Sequence, residues 1–220
     1  MGIKEQNLHY PLVIDVSTPF IQVGIACDKN WHKLESKHSN ALDGIFQTVS
    51  KLLTELKLKF HELDSVFFCS GPGSTLGLRL TLAFIKTLNW EFDQRLKLFS
   101  YNALDLANCM ITNPPSHIQA PFRMGWRVIR TGTNNNPIGE KEILESEIAL
   151  KRFPQSLHIQ DQANSSANIP KDKIIDYRLE KIKGLEDLLI VSTQEKELEI
   201  YNPKPPEFKK WEPKIKFLNP

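Results

Sequence analysis

The sequence predicts an α/β domain with a mixed sheet, and two patterns predict it. The chain begins with a meander of three short strands, and then helix and strand alternate up to about residue 110. The order meander, helix, strand, helix, strand, helix is typical of α/β domains. A length of 220 residues, with 40% hydrophobic and 25% charged residues, allows one large or two small globular domains.

The charge and the cysteines exclude several classes of protein. With 28 basic and 26 acidic residues the net charge is +2, which gives no electrostatic case for binding nucleic acid or anionic lipid. Three cysteines without a CxxC pair are typical of reduced thiols. No apolar run approaches the ~18 residues that span a bilayer, and no signal-peptide core is present. We therefore expect a cytoplasmic protein without a membrane partner.

The meander consists of residues 12–16, 20–27 and 31–36, and Asp15 lies at its first turn. Actin-like ATPase domains begin with a strand, a turn and a strand, with an acidic group near a metal-bound phosphate. The alternative is that Asp15 and Ser17 only shape the turn. The local sequence leaves both interpretations open.

The first helix, predicted over residues 41–56, has an unusually wide apolar face. Its apolar residues recur every three or four positions and cover an arc of roughly 140°, where one core contact needs about 100°. The helix either has a broad core face, or packs one edge on the sheet and leaves the other for a partner.

A buried strand at residues 65–70 leads through a glycine turn into a second helix, at residues 76–90, that is apolar on every side. Ser74 is placed to cap this helix. A helix without a polar face has to be covered on both sides. Arg79, one turn into the helix, is either a solvated arginine or a partner for an anion or carboxylate.

The glycine turn fails the tests for a nucleotide-binding loop. Gly71, Gly73 and Gly77 match neither GxxxxGK[ST] nor GxGxxG. A turn before a helix can accept an anion, although such turns more often only reverse the chain. The C-terminal half has no second glycine-rich turn, and the histidines lack zinc-site spacing. The sequence predicts neither a catalytic set nor a metal site.

The second half of the chain is expected to form a separate unit, so we predict units of residues 1–110 and 111–220. A strand at 97–100 and a helix at 103–110 close the first unit. For the second unit we predict four strands, at 117–122, 126–131, 188–192 and 198–201. We also predict a helix at 141–153, a polar loop at 154–173 and a proline-rich tail after residue 202.

Four segments together resemble one family, the TsaB (YeaZ-like) proteins. They are IDVSTPFIQVGI (14–25), HSNAL (38–42), SGPGSTLGLR (70–79) and PPEFKKW (205–211). The resemblance covers residues 11–105 well. Thr75 and Leu76 replace the Phe-Thr of the family's GPGSFTGLR turn, and only Arg123, Gly125 and Trp126 match its Asp-Ala-Arg-Arg-Gly run. The second subdomain is therefore expected to be divergent and shortened.

The resemblance implies an actin-like (ASKHA, RNase H-like) fold without catalytic machinery. Such proteins are partners of the ATPase TsaD, which forms threonylcarbamoyladenosine (t6A) at position 37 of tRNA. The family associates through its two N-terminal helices, with TsaD or, when alone, as a homodimer. The resemblance further implies that a TsaE-like ATPase joins the complex and that this chain contacts tRNA only indirectly. It also implies that this chain has no cofactor and binds ATP weakly or not at all.

Two sets of site residues follow. The predicted partner interface comprises Ala41, Leu42, Ile45, Phe46, Val49, Leu52, Leu53, Leu78, Arg79, Leu82 and Ile85. The predicted vestigial phosphate site comprises Asp15, Ser17, Thr18, Gly71, Gly73 and Ser74. The competing hypothesis is an actin-like small-molecule kinase or ATPase that uses the second set. A peptidase has no nucleophile–base pair to support it.

Overall fold

The computed structural model describes residues 8–39, 41–133, 136–159 and 169–198. In chain order its helices and strands are β1 (Pro11–Asp15), β2 (Phe20–Cys27), β3 (Asn30–His38), α1 (Ala41–Leu56), β4 (Ser65–Cys69), α2 (Thr75–Glu91), β5 (Lys97–Tyr101), α3 (Ala103–Cys109), β6 (His117–Arg123), β7 (Trp126–Thr131), β8 (Glu140–Glu145), α4 (Ser146–Arg152), β9 (Leu157–Ile159), β10 (Ile174–Ile175), α5 (Gly184–Val191) and β11 (Ser192–Glu195).

The first sheet has six strands in the order β11-β5-β4-β1-β2-β3. The meander β1-β2-β3 is antiparallel, whereas β1, β4 and β5 are parallel to one another. Every residue of β1 and β4 is buried, because helices cover both faces of the parallel centre. The predicted α/β class with a mixed sheet is confirmed.

The second sheet has five strands in the order β10-β9-β6-β7-β8 and is also mixed. Its β6-β7-β8 part is antiparallel, and β6, β9 and β10 are parallel. The predicted boundary near residue 111 falls between α3 and β6 and stays a prediction. After the second sheet the chain returns to the first one, where β11 pairs with β5.

Two hydrophobic clusters occupy the two faces of the first sheet. Leu12 and Ile14 of β1 belong to the cluster beneath α1 and α2. Val13 belongs to the other cluster, together with residues of α3, α5 and the second sheet. This alternation follows from the two-residue period of a strand. Helices α1 and α2 therefore form one outer layer of the protein.

Two predictions in the second half are wrong. The helix predicted over 141–153 is the strand β8 followed by the shorter helix α4, and the strand predicted at 188–192 lies mostly in helix α5. The apolar positions around Ile143 and Leu144 fit either period, and pairing of β8 with β7 decides for the strand. A short apolar run such as 188–191 does not distinguish a strand from a buried helix.

Some predictions fall on residues outside the described ranges. They are the predicted strand at 198–201, of which only Leu198 is described, the proline-rich tail, and the PPEFKKW segment. The polar stretch 154–173 contains β9, and its residues 160–168 are likewise outside. Within the parts of the chain that the structure describes, no helix combines the length and the apolar character needed to cross a bilayer.

Candidate functional site

The first candidate site is the carboxylate of Asp15 at the end of β1. Asp15 is fully buried. The backbone N–H of Ser17 donates to its Oδ1 at 2.9 Å, and the Ser17 hydroxyl donates to the same oxygen at 2.6 Å. These two bonds fold residues 15–17 into the tight turn between β1 and β2, as expected for an aspartate that bonds the backbone two residues on.

Two tyrosine hydroxyls satisfy the other oxygen of Asp15. Tyr101, the last residue of β5, and Tyr177, which follows β10, each donate to Oδ2 at 2.8 Å. Burial, and secondarily the charge of Asp15, raises the pKa of both tyrosines well above the ordinary range. Both hydroxyls therefore stay protonated and remain hydrogen-bond donors. No sequence pattern predicted this contact between the chain's two halves.

The glycine turn packs directly against the backbone of the first turn. The Ser74 N–H donates to the Ser17 carbonyl at 2.9 Å, and the Ser74 hydroxyl caps α2 by accepting from the Gly77 N–H. A Cβ on Gly73 would lie 2.5 Å from the Ser17 carbonyl oxygen, and one on Gly77 would lie 2.2 Å from that of Val16. These glycines are needed for close approach of two backbones.

The residues predicted to bind phosphate therefore lie together, but around a closed contact. Thr18 is also buried, and its hydroxyl accepts from the Phe20 N–H at 3.4 Å. Burial and the charge of Asp15 raise the pKa of the neighbouring Cys69 well above the ordinary range, which keeps it a thiol and a poor nucleophile. Among the described residues, no group of three histidine, cysteine or acidic side chains is arranged to hold a metal ion.

The second candidate site is the outward side of α1 and α2. Most residues predicted for a partner interface are instead buried in the core, so the predicted helix face was wrong for them. Those in the cluster beneath α1 and α2 are Ile45, Val49, Leu52, Leu53, Leu82 and Ile85, and Leu78 is buried in the other cluster. They face the first sheet because its apolar face has to be covered. Leu42, Phe46 and Arg79 are exposed, and Ala41 is half-buried.

The exposed apolar residues of the two helices form a separate surface, which we call the helix surface. Leu42 and Phe46 of α1 are 65% and 59% exposed, and Leu76 and Trp90 of α2 are 62% and 76% exposed. Half-buried Leu80 and Phe84 complete the helix surface. The rings of Phe46 and Phe84 meet edge-on, with centroids 6.4 Å apart, and so join the two helices.

The helical period explains why the sequence prediction took the wrong face of α2. At 100° per residue, Leu76, Leu80, Phe84 and Trp90 fall within an arc of roughly 120°, opposite the core positions. Helix α2 thus has two apolar faces, and only one of them meets the sheet. The sequence shows that α2 has apolar residues on both faces. Which of the two faces meets the sheet depends on how the helix packs.

Two buried polar clusters support the second sheet. Asp105 of α3 accepts from the Arg130 guanidinium at 2.9 Å and from the Gly139 N–H at 3.0 Å, and it also pairs with Lys141. Since Asp105 and Arg130 are both buried, this contact fixes α3 on the sheet.

In the other cluster Arg127 donates to Gln119 at 3.0 Å and lies 3.1 Å from Nδ1 of His158. Burial, followed by the charges of Arg127 and Lys173, lowers the pKa of His158 to about 4. His158 is therefore neutral at pH 7, as an acceptor for the Arg127 guanidinium requires.

Comparisons with known proteins agree with this architecture. The sequence model of the TsaD family, described as tRNA N6-adenosine threonylcarbamoyltransferase, matches residues 33–112. The structure of YeaZ from Pseudomonas aeruginosa superimposes with a TM-score of 0.52 at 16% identity and covers 64% of this chain and 68% of YeaZ. A second P. aeruginosa structure, described as similar to the peptidase YeaZ, gives a TM-score of 0.51 with the same identity and coverage. No curated protein matches the sequence.

The two mixed sheets with their helical layers define an actin-like (ASKHA) α/β fold. Within that class, the resemblance to the YeaZ-like family, first indicated by the sequence, is supported by the TsaD-family match and by the YeaZ fold. At 16% identity the likeness to YeaZ concerns the fold.

Proposed function

We propose that this chain is a non-catalytic subunit that binds a TsaD-like ATPase and supports t6A modification of tRNA. The observation that carries the proposal is the helix surface, where four large apolar side chains are more than half exposed on two adjacent helices. Exposed apolar residues that are clustered in this way mark interaction sites. The TsaD-family match spans both helices, since it runs from residue 33 to residue 112.

The composition of the helix surface is suited to binding a protein. Phe46, Phe84 and Trp90 are aromatic, and aromatic residues are enriched at the centre of protein interfaces. Burial of one such side chain contributes about 1.5–3 kcal/mol. For the protein alone we propose a homodimer in which the α1 part of the helix surface, Leu42 and Phe46, is used symmetrically to join two copies of this chain.

The surroundings of Asp15 support a role without nucleotide chemistry. Both carboxylate oxygens already accept hydrogen bonds from Ser17, Tyr101 and Tyr177. We propose that the isolated chain binds MgATP weakly or not at all, and that the TsaD-like subunit supplies the nucleotide site and the tRNA contacts. A TsaE-like ATPase would join the same cytoplasmic complex.

Co-expression with the TsaD homologue of the same genome tests the proposal. We expect the two chains to co-purify, and calorimetric titration of this chain alone with MgATP to show no binding tighter than roughly 100 µM, about −5.5 kcal/mol. If folded partners do not associate at micromolar concentration, the subunit role is wrong. Tight MgATP binding by the isolated chain would favour the kinase or ATPase alternative.

A further inference from the structure

Trp90, near the C-terminal end of α2, borders a cavity that the end of the described chain helps to form. The cavity has a volume of about 220 Å³. Its lining comprises Lys86, Asn89, Trp90, Gln94, Leu98, Lys196, Glu197 and Leu198. Trp90 is 76% exposed, and the buried side-chain oxygen of Asn89 has no hydrogen-bond partner among the described residues. At this end of α2, an apolar side chain is therefore exposed to solvent, and a buried polar atom lacks a hydrogen bond within the described residues.

The chain leaves the described structure at this cavity. Leu198 packs against the hydrophobic cluster beneath α1 and α2. The remaining 22 residues, 199–220, start beside Trp90. At about 3.3 Å per residue an extended segment of that length reaches roughly 70 Å. The outward face of α2 from Trp90 back to Leu76 needs only about 21 Å, at 1.5 Å per residue.

The composition of residues 199–220 matches that face of α2. The segment has seven large apolar residues, Ile200, Tyr201, Phe208, Trp211, Ile215, Phe217 and Leu218. Its prolines are incompatible with a continuous helix, and 22 residues are too few to bury these side chains on one another. It also has five lysines and three glutamates. The apolar character of the segment is therefore complementary to the apolar outward face of α2.

We propose that residues 199–220 dock in an extended conformation on the outward face of α2, over Trp90 and toward Leu76. The occupant of this part of the helix surface is thus a segment of the same chain. One consequence rests on the proposed function: a partner that binds the helix surface has to displace the segment, which makes the segment autoinhibitory. The docking itself needs no partner, and it is tested on the isolated chain.

Hydroxyl-radical footprinting of the full chain, with each oxidised side chain located by mass spectrometry, tests the docking. The wild type is compared with the double variant Phe208→Ser/Trp211→Ser. A matched control, Asn202→Ser/Asn219→Ser, changes two polar residues of the same segment. Met124, which is 98% exposed in the turn between β6 and β7, serves as the internal reference for radical dose. Each chain is measured at a low and a high protein concentration.

We expect oxidation of Trp90 to be several-fold slower in the wild type and the control than in the Phe208/Trp211 variant, with Met124 unchanged. Equal rates for Trp90 in all three chains would overturn the docking. If protection of Trp90 grows with protein concentration, a second copy covers Trp90, and this result would also overturn the docking of residues 199–220. Failure of the TsaD-like partner to bind leaves these rates unaffected, so the two proposals fail separately.

Discussion

The hydroxyl of Tyr177 donates a 2.8 Å hydrogen bond to Asp15, a residue 162 positions earlier in the chain. Tyr177 belongs to the segment after the second sheet, whereas Asp15 ends the central strand β1 of the first. Tyr101 donates to the same carboxylate oxygen from the end of β5. The position that the sequence suggested for phosphate chemistry is thus occupied by a contact between the two halves of the chain.

Removal of the Tyr177 hydroxyl should destabilise the protein. In Tyr177→Phe the buried carboxylate of Asp15 loses one donor, and we expect the free energy of unfolding to fall by about 1–3 kcal/mol. Tyr10→Phe is the control, because Tyr10 is half-buried at the opposite end of β1, and it should cost less than about 0.5 kcal/mol. Urea denaturation of the two variants measures both values, and equal stabilities would contradict the importance of the Tyr177 contact.

The close approach of α2 to the first turn makes Gly77 sensitive to a single methyl group. A Cβ there would lie 2.2 Å from the backbone oxygen of Val16. We expect Gly77→Ala to cost about 2 kcal/mol or more, despite the gain of up to about 1 kcal/mol in helix propensity.

The matched control for Gly77 is Gly44→Ala in α1. The Cβ of that variant would meet the terminal methyl of Ile21, a side chain that can adjust. Thermal unfolding should show a clearly larger loss for Gly77→Ala than for Gly44→Ala. If the order is reversed, the backbone contact does not set the position of α2.

The lowered pKa of His158 predicts a pH dependence of stability. Above about pH 6.5 the histidine is neutral in the folded and the unfolded chain. Between about 6.5 and about 4 only the unfolded chain takes up the proton, so the folded state loses stability as the pH falls. The loss from this one group amounts to roughly 3 kcal/mol at pH 4, since each pKa unit corresponds to about 1.4 kcal/mol.

His158→Asn retains an acceptor for Arg127 without a titrating ring, and it should flatten that part of the pH profile. Urea denaturation at several pH values between 7 and 4 compares the variant with the wild type. Parallel profiles for the two chains would show that His158 is not the group responsible.

The two faces of α1 should respond oppositely to a charge. Val49 is fully buried, whereas Phe46, one turn earlier, is 59% exposed. Val49→Glu buries an unpaired carboxylate at a cost of several kcal/mol, a large part of the total stability of a typical domain. Phe46→Glu should fold with a change below about 1 kcal/mol. Circular dichroism and urea denaturation distinguish the two, and an unfolded Phe46→Glu chain would place Phe46 in the core.

Much of the fold was predictable because its first half follows strong local rules. The meander, α1, β4, α2 and the Ser74 cap all have clear periodicity or capping signals. The second half was harder. Residues 140–145 became a strand through pairing with β7, which is a tertiary contact and leaves no mark in a short window.

The candidate sites divide in the same way. That α1 and α2 have excess apolar surface was visible in the sequence, and the helix surface bears this out. That Val49 and Leu82 face the sheet while Phe46 and Leu76 face outward depends on how the helices pack, and sequence periodicity does not give that direction. The Tyr177–Asp15 bond joins residues too far apart for any spacing rule.

The most direct test of the account is the affinity of the full chain for the TsaD homologue of the same genome, measured by calorimetry for wild type, Phe46→Glu and Met124→Glu. Phe46 lies in the helix surface, and Met124, which is also exposed, lies in the turn between β6 and β7. We predict that Phe46→Glu weakens binding by about 2 kcal/mol, roughly 30-fold, while Met124→Glu binds like the wild type. Equal binding by all three chains, or no binding by the folded wild type, would contradict the assignment of the helix surface as the partner site.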